Sequence, residues 1–180
     1  MSVDDNIVEK AIKVGDEIMR NEIYHRAFGV YGIYYRQEQG LLVISKTNGP
    51  YANRLDLPGG SMAEGEGLDD TLRREFVEET GMHLINYQQL GITSFRYPWT
   101  FETFTMNNHI AVFNLVQQVY GNVAEKVREF PGQDSKGALF VKLADITPEN
   151  SSPLVLRAKK FIQNNEFDFA DTILQQWQVL

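Results

Sequence analysis

The stretch GSMAEGEGLDDTLRREFVEETGM runs from Gly60 to Met82. Within it, Leu68 to Thr80 reads as a helix. Leu68, Leu72 and Phe76 recur at helical spacing, at roughly 20°, 60° and 100° on a wheel of 100° per residue. Asp69 and Asp70 lie in the first turn, where carboxylates meet the positive end of the helix dipole. Gly81 follows Thr80 and is placed to end the helix in the left-handed conformation. Glu75, Glu78 and Glu79 are three and four residues apart and fall at roughly 0°, 300° and 40° on the same wheel. The carboxylate stripe therefore borders the apolar one. A helix packed on a sheet through Leu72 and Phe76 would hold these glutamates at the rim of the domain.

Three clustered carboxylates raise one another's pKa. A hard divalent cation relieves that repulsion and prefers oxygen ligands. The plain alternative is a solvated acidic helix face, which is common. The surroundings decide between the two. Glu66 comes six residues after Gly60, and Arg74-Glu75-Phe76, Glu78-Glu79 and Gly81-Met82 follow. The stretch fits G-x₅-E-x₇-R-E-U-x-E-E-x-G-U, with U apolar. A chance match to its fixed positions is on the order of 10⁻⁸ at a given start.

This pattern resembles the Nudix box of the MutT/Nudix hydrolases. The strict motif covers residues 60–82, and the flanking strands extend the resemblance over most of 27–145. It implies an α/β fold, an α/β/α sandwich with a mixed sheet. It also implies hydrolysis of a diphosphate bond in a nucleoside diphosphate linked to another group, or in a nucleoside triphosphate. Water would attack phosphorus with Mg²⁺ or Mn²⁺ as cofactor. On this resemblance Gly59 supplies a carbonyl ligand, and Glu78 and Glu79 are the principal metal ligands. Glu75 joins them and is the general base, with Glu79 as its competitor. Arg74 clamps a glutamate four residues on. Glu66 reaches Arg74 or a second metal. A further carboxylate from a loop over the site would be Asp134, with Glu125 and Glu129 as competitors. Each could equally be a solvated loop acid.

Basic groups near the motif could hold phosphates. Arg54 lies just before the LPGG turn and Lys46 ends the preceding strand; both could equally be surface residues. Asn150 or Ser152 would meet a base edge. Phe28, Tyr97 or Trp99 would stack on a base, although such aromatics are more often core.

Outward from the motif, the 180 residues suit a single domain. An amphipathic helix is expected at about 5–20, for packing or for contact with a second copy in a homodimer. AFGVYGIYYR (27–36), LLVISKT (41–47) and GALFVKL (137–143) read as strands, with extended regions at 83–97 and 107–120 and a loop near Pro98-Trp99-Thr100. Helices are expected at 153–164 and 167–177. Residues 121–136 read as a polar loop.

Cys is absent, so disulfides, thiolate metal sites and a Cys nucleophile are excluded. His25, His83 and His109 are far apart, and structural or surface roles are expected for them. The net charge of −7 offers no global attraction for nucleic acid; the resemblance implies a small nucleotide-like diphosphate substrate as the partner. No membrane span or signal peptide is read, and a cytoplasmic location is expected. Two other readings share the fold. Ligand-sensor or scaffold domains often lose box glutamates, and this chain keeps all of them. An isopentenyl-diphosphate isomerase, echoed by His25-Arg26-Ala27-Phe28, requires a Cys.

Overall fold

The computed structural model describes residues 22–123 and 135–180. The helix expected at 5–20 lies outside them, as do Asp134, Glu125 and Glu129. The strands are β1 (Tyr24–Ile33), β2 (Tyr35–Arg36), β3 (Gly40–Lys46), β4 (Leu55–Asp56), β5 (Gly59–Gly60), β6 (His83–Phe101), β7 (Phe104–Tyr120), β8 (Ser135–Val141) and β9 (Thr172–Ile173). Two α-helices accompany them, α1 (Leu68–Thr80) and α2 (Pro153–Asn164).

One sheet has the order β5-β1-β7-β6-β9. β1 and β7 run parallel, as do β6 and β9, while the other pairs are antiparallel. In a second, antiparallel sheet, β3 pairs with β2, β4 and β8. The two helices cover two apolar clusters. α2 contributes Leu154, Val155, Ala158 and Phe161 to a cluster with Ile33, Phe95 and Phe113. α1 contributes Leu72 and Phe76 to another, with Val30, Val112 and Met82. Neither Leu72 nor Phe76 has any solvent exposure. Each such burial stabilises by about 2 kcal/mol, so the apolar stripe is what fixes α1 on the sheet. The expected mixed-sheet sandwich is therefore the architecture found.

Both ends of α1 follow the sequence reading. The Gly67 amide donates to Asp70 Oδ2 at 3.0 Å. Gly81 adopts φ 74° and its amide reaches Val77 O. α2 starts at Ser152, whose Oγ accepts from Val155 N at 3.2 Å.

Two expectations are corrected. The loop placed at 98–100 is strand: β6 runs through it to Phe101, and the hairpin turn is Glu102–Thr103, with Glu102 at φ 50°. Pro98 is tolerated because β9 covers β6 only at Phe95–Arg96, leaving Pro98 on a sheet edge. The helix expected at 167–177 is instead extended chain containing β9. Buried Arg157 explains it. Its guanidinium donates to the carbonyls of Asp168 and Ala170, and to Thr172 Oγ1 at 2.8 Å, taking acceptors a helix would need.

Candidate active site

The turn Leu57-Pro58-Gly59-Gly60 brings the chain from the second sheet to the first. Gly59 has φ 142°, and a β-carbon there would lie 2.2 Å from Val30 O. Only glycine fits that position. Gly59 and Gly60 pair with Tyr31 and Val30 of β1. The pairing places them beside the last turns of α1.

Glu79 is 5% exposed, and its Oε2 accepts from the Gly59 amide at 2.8 Å. Arg74 gathers the other carboxylates. Its Nε and Nη2 reach the two oxygens of Glu66 at 2.5 and 2.8 Å, a bidentate pair. Its Nη1 donates to Glu75 Oε1 at 2.7 Å and to Glu78 Oε2 at 3.1 Å. Nη2 also reaches Ser61 O at 3.1 Å, tying the loop before the helix to the same hub. Glu66 further accepts from Ala63 N and Thr71 Oγ1. These contacts hold Glu66 down at about 2, with the Arg74 hydrogen bond the largest cause. Glu75 moves the other way. Burial raises it, and Arg74 pulls it only part of the way back.

Among the described residues no three acidic or histidine side chains converge as a ready-made metal cage. The donor set is nevertheless that of a hard cation. Three carboxylates from two turns of one helix border a glycine turn whose second residue is packed on Glu75. Glu75, Glu78 and Glu79 fit a divalent metal by donor chemistry.

Next to this cluster is a cavity of about 130 Å³ whose walls include Ser61, Lys46, Asp56, Tyr51, Phe28 and Trp99. Lys46 contributes a positive charge felt by Glu75. Asp56 is 1% exposed, and its Oδ1 accepts from Leu57 N and Ser152 Oγ. His109 lies in the wall, its Nε2 2.9 Å from Tyr31 OH and its Nδ1 2.9 Å from Tyr51 OH. Burial pushes His109 down to about 3, so it is neutral at physiological pH. His25 Nδ1 is 2.8 Å from Asn107 Oδ1, and Asn107 Nδ2 donates to Tyr97 OH at 2.6 Å.

Of the two basic candidates, Lys46 lines the cavity and Arg54 does not. Arg54 is built into the fold. Its Nη1 donates to the carbonyls of Pro148 and Glu149, and its Nη2 to Gln178 O. Asn150 shapes its own loop, accepting from Thr147 N and donating to Asp145 O. Among the aromatics, Phe28 and Trp99 line the cavity, while Tyr97 is fully buried behind it. The reading of the residues missed Asp56, Asn107 and the cavity positions of His25 and His109. None of them carries a local spacing signal.

Residues 23–164 match the family profile described as the NUDIX domain. The chain belongs to the Nudix family. It is 32% identical over 140 residues to the oxidized purine nucleoside triphosphate hydrolase of Mus musculus, covering 77% of this chain and 85% of that one. Family and relative together make it a Nudix pyrophosphohydrolase. Among solved Nudix structures, a MutT NUDIX hydrolase from Burkholderia pseudomallei superposes with a TM-score of 0.60 at 20% identity, covering 76% of this chain and 97% of that one. The NUDIX domain of Shewanella oneidensis NrtR, solved with ADP ribose, gives 0.54 at 17% identity, covering 84% and 98%. These two likenesses are of fold. Among the described residues no helix of this Nudix protein is long and apolar enough to cross a membrane.

Proposed function

We propose that the chain hydrolyses purine nucleoside triphosphates to the monophosphate and pyrophosphate, with Mg²⁺ or Mn²⁺. The observation that supports this most is one juxtaposition. The Glu75, Glu78, Glu79 cluster stands beside a cavity that carries a lysine for phosphate and aromatic rings for a base. The Mus musculus relative, named for oxidized purine nucleoside triphosphates, supports the purine class.

Glu75, Glu78, Glu79 and the Gly59 backbone would hold the cation, which would neutralise charge on the phosphate oxygens. Lys46 meets the phosphate chain from the cavity side. Glu75 takes the proton of the attacking water. Its raised proton affinity suits a base, because it narrows the gap to neutral pH. The water oxygen bonds to phosphorus, the bridging P–O bond breaks, and pyrophosphate leaves with the electron pair. Arg74 holds Glu75 and Glu78 in place throughout. Phe28 and Trp99 supply apolar faces for the base.

The test is a screen with Mg²⁺ across dATP, dGTP, 8-oxo-dGTP, ADP-ribose and dinucleoside polyphosphates, the products being resolved by chromatography. Purine triphosphates should give the highest kcat/KM, with the cut between two phosphorus atoms. Preference for ADP-ribose, or full activity with metal chelated, would overturn the proposal.

A further inference from the structure

Beyond β9 the chain turns back to the loop between β3 and β4. Trp177 Nε1 donates to Pro50 O at 2.8 Å. The guanidinium of Arg54 lies 4.5 Å over the Trp177 ring and donates to Gln178 O at 3.0 Å. Asn53 Nδ2 donates to Leu180 O at 2.6 Å. Residues 50, 53 and 54 are therefore all tied to the segment 177–180.

Trp177 is not in the cavity wall, but Pro50 and Tyr51 are. The indole meets the Tyr51 ring edge-on at 5.7 Å and 83°. Tyr51 also meets His109, stacked at 5.6 Å and 25°, with the Tyr51 hydroxyl 2.9 Å from Nδ1. Trp177 also leans on Tyr97 at 5.3 Å. Tyr51 is 2% exposed, so it has no solvent to move into, and its position depends on what packs behind it.

We infer that Trp177 is a positioning residue: it holds Pro50 and Tyr51 as the back wall of the nucleotide cavity and so sets substrate affinity. The ligand's identity rests on the proposed function. The glutamates of α1 are held by Arg74 of the same helix and by Gly59 of β5, not by the C-terminal segment, so the chemical step is spared.

The experiment compares the full-length wild type with Trp177→Ala and Trp177→Phe. It measures kcat and KM for dGTP and 8-oxo-dGTP with Mg²⁺, calorimetric binding of dGMP, and thermal unfolding. Trp177→Ala should raise KM about tenfold with kcat within about twofold, and the Kd for dGMP should rise in parallel. Trp177→Phe keeps a ring against Tyr51 and should recover most of the loss, leaving KM about two- to threefold above wild type. A folded Trp177→Ala protein with wild-type KM and Kd, or one that loses kcat alone, overturns the inference. If Trp177→Ala does not fold, Trp177→Phe decides, and an unchanged KM there overturns it. A wild type that binds dGMP but cleaves no triphosphate overturns the proposed reaction only, and the Kd comparison then decides this inference. A wild type that binds no nucleotide overturns both.

Discussion

A β-carbon built on Gly60 would stand 2.7 Å from the carboxyl group of Glu75. The glycine turn and the helix are fitted to each other there, and the part that would have to yield is the end of a flexible side chain. Gly60→Ala should therefore fold, yet push the Glu75 carboxylate aside. A displacement on the ångström scale in an active site costs about 10²-fold. Steady-state kinetics with a melting curve check this, and wild-type turnover in the folded variant would show that Glu75 does not need its present place.

Glu75→Gln keeps shape and removes the basic oxygen. If Glu75 accepts the proton, turnover should fall by roughly 10²–10⁴ with folding retained. Near-normal activity would move the base to Glu79 and leave the reaction class standing.

Glu79→Gln retains an oxygen for the Gly59 amide, so the change is one of charge. Affinity for Mn²⁺, read by calorimetry, should drop by about tenfold or more. Unchanged Mn²⁺ affinity together with unchanged turnover would remove Glu79 from the metal site.

Arg74 is the cation that three carboxylates share. Glu66 titrates at about 2 in the folded state, below its ordinary value of 4.5, so its link to Arg74 stabilises above pH 4.5 and fades as pH falls through about 2. Arg74→Gln should move the Glu66 midpoint up toward the ordinary value, which ¹³C NMR of the side-chain carboxyl can follow. A midpoint that stays put would assign the depression to Ala63 and Thr71 instead.

The buried His109 predicts a pH effect of its own. Its folded pKa of about 3 lies below the ordinary 6.5, so between these values the unfolded chain binds the extra proton. Stability is then lost as pH falls from 6.5 toward 3, by an amount on the order of a few kcal/mol. His109→Gln has no such titration. Its urea midpoint should fall less than that of wild type between pH 7 and pH 4. Identical slopes would mean that His109 charges freely in the fold.

The helix of the glutamates was legible because everything that defines it is local: a period of 3.6, acids in the first turn and Gly81 at the end. The reach of Arg74 to Glu78 was legible for the same reason, whereas Glu66 stood open between Arg74 and a second metal. Gly59 lies outside the helix, yet its place beside Glu79 was implied by the motif. The cavity was not legible. Lys46, Asp56, Trp99 and His109 come from four strands of two sheets, and only strand register and the packing of the two sheets make them neighbours. Arg54 and Lys46 looked alike in sequence, eight residues apart and both near the glycine turn. They parted because Arg54 found three backbone carbonyls and an indole face. Residues 167–177 misled because apolar spacing fits more than one backbone, and a distant arginine made the choice.

The parallel ladder of β1 on β7 carries a consequence for the order in which the molecule comes together. The β6–β7 hairpin closes over a two-residue turn and can form in microseconds. β1 joins it only when residues such as His25 and Asn107, 82 apart in the chain, have met. Closing so long a loop is slow because its entropy must be surrendered before the ladder repays it. Gly59 and Gly60 pair with β1, so the turn beneath Glu75 and Glu79 waits for that event. During refolding, strand signal should precede hydrolytic competence: the chain acquires most of its architecture first and its chemistry last.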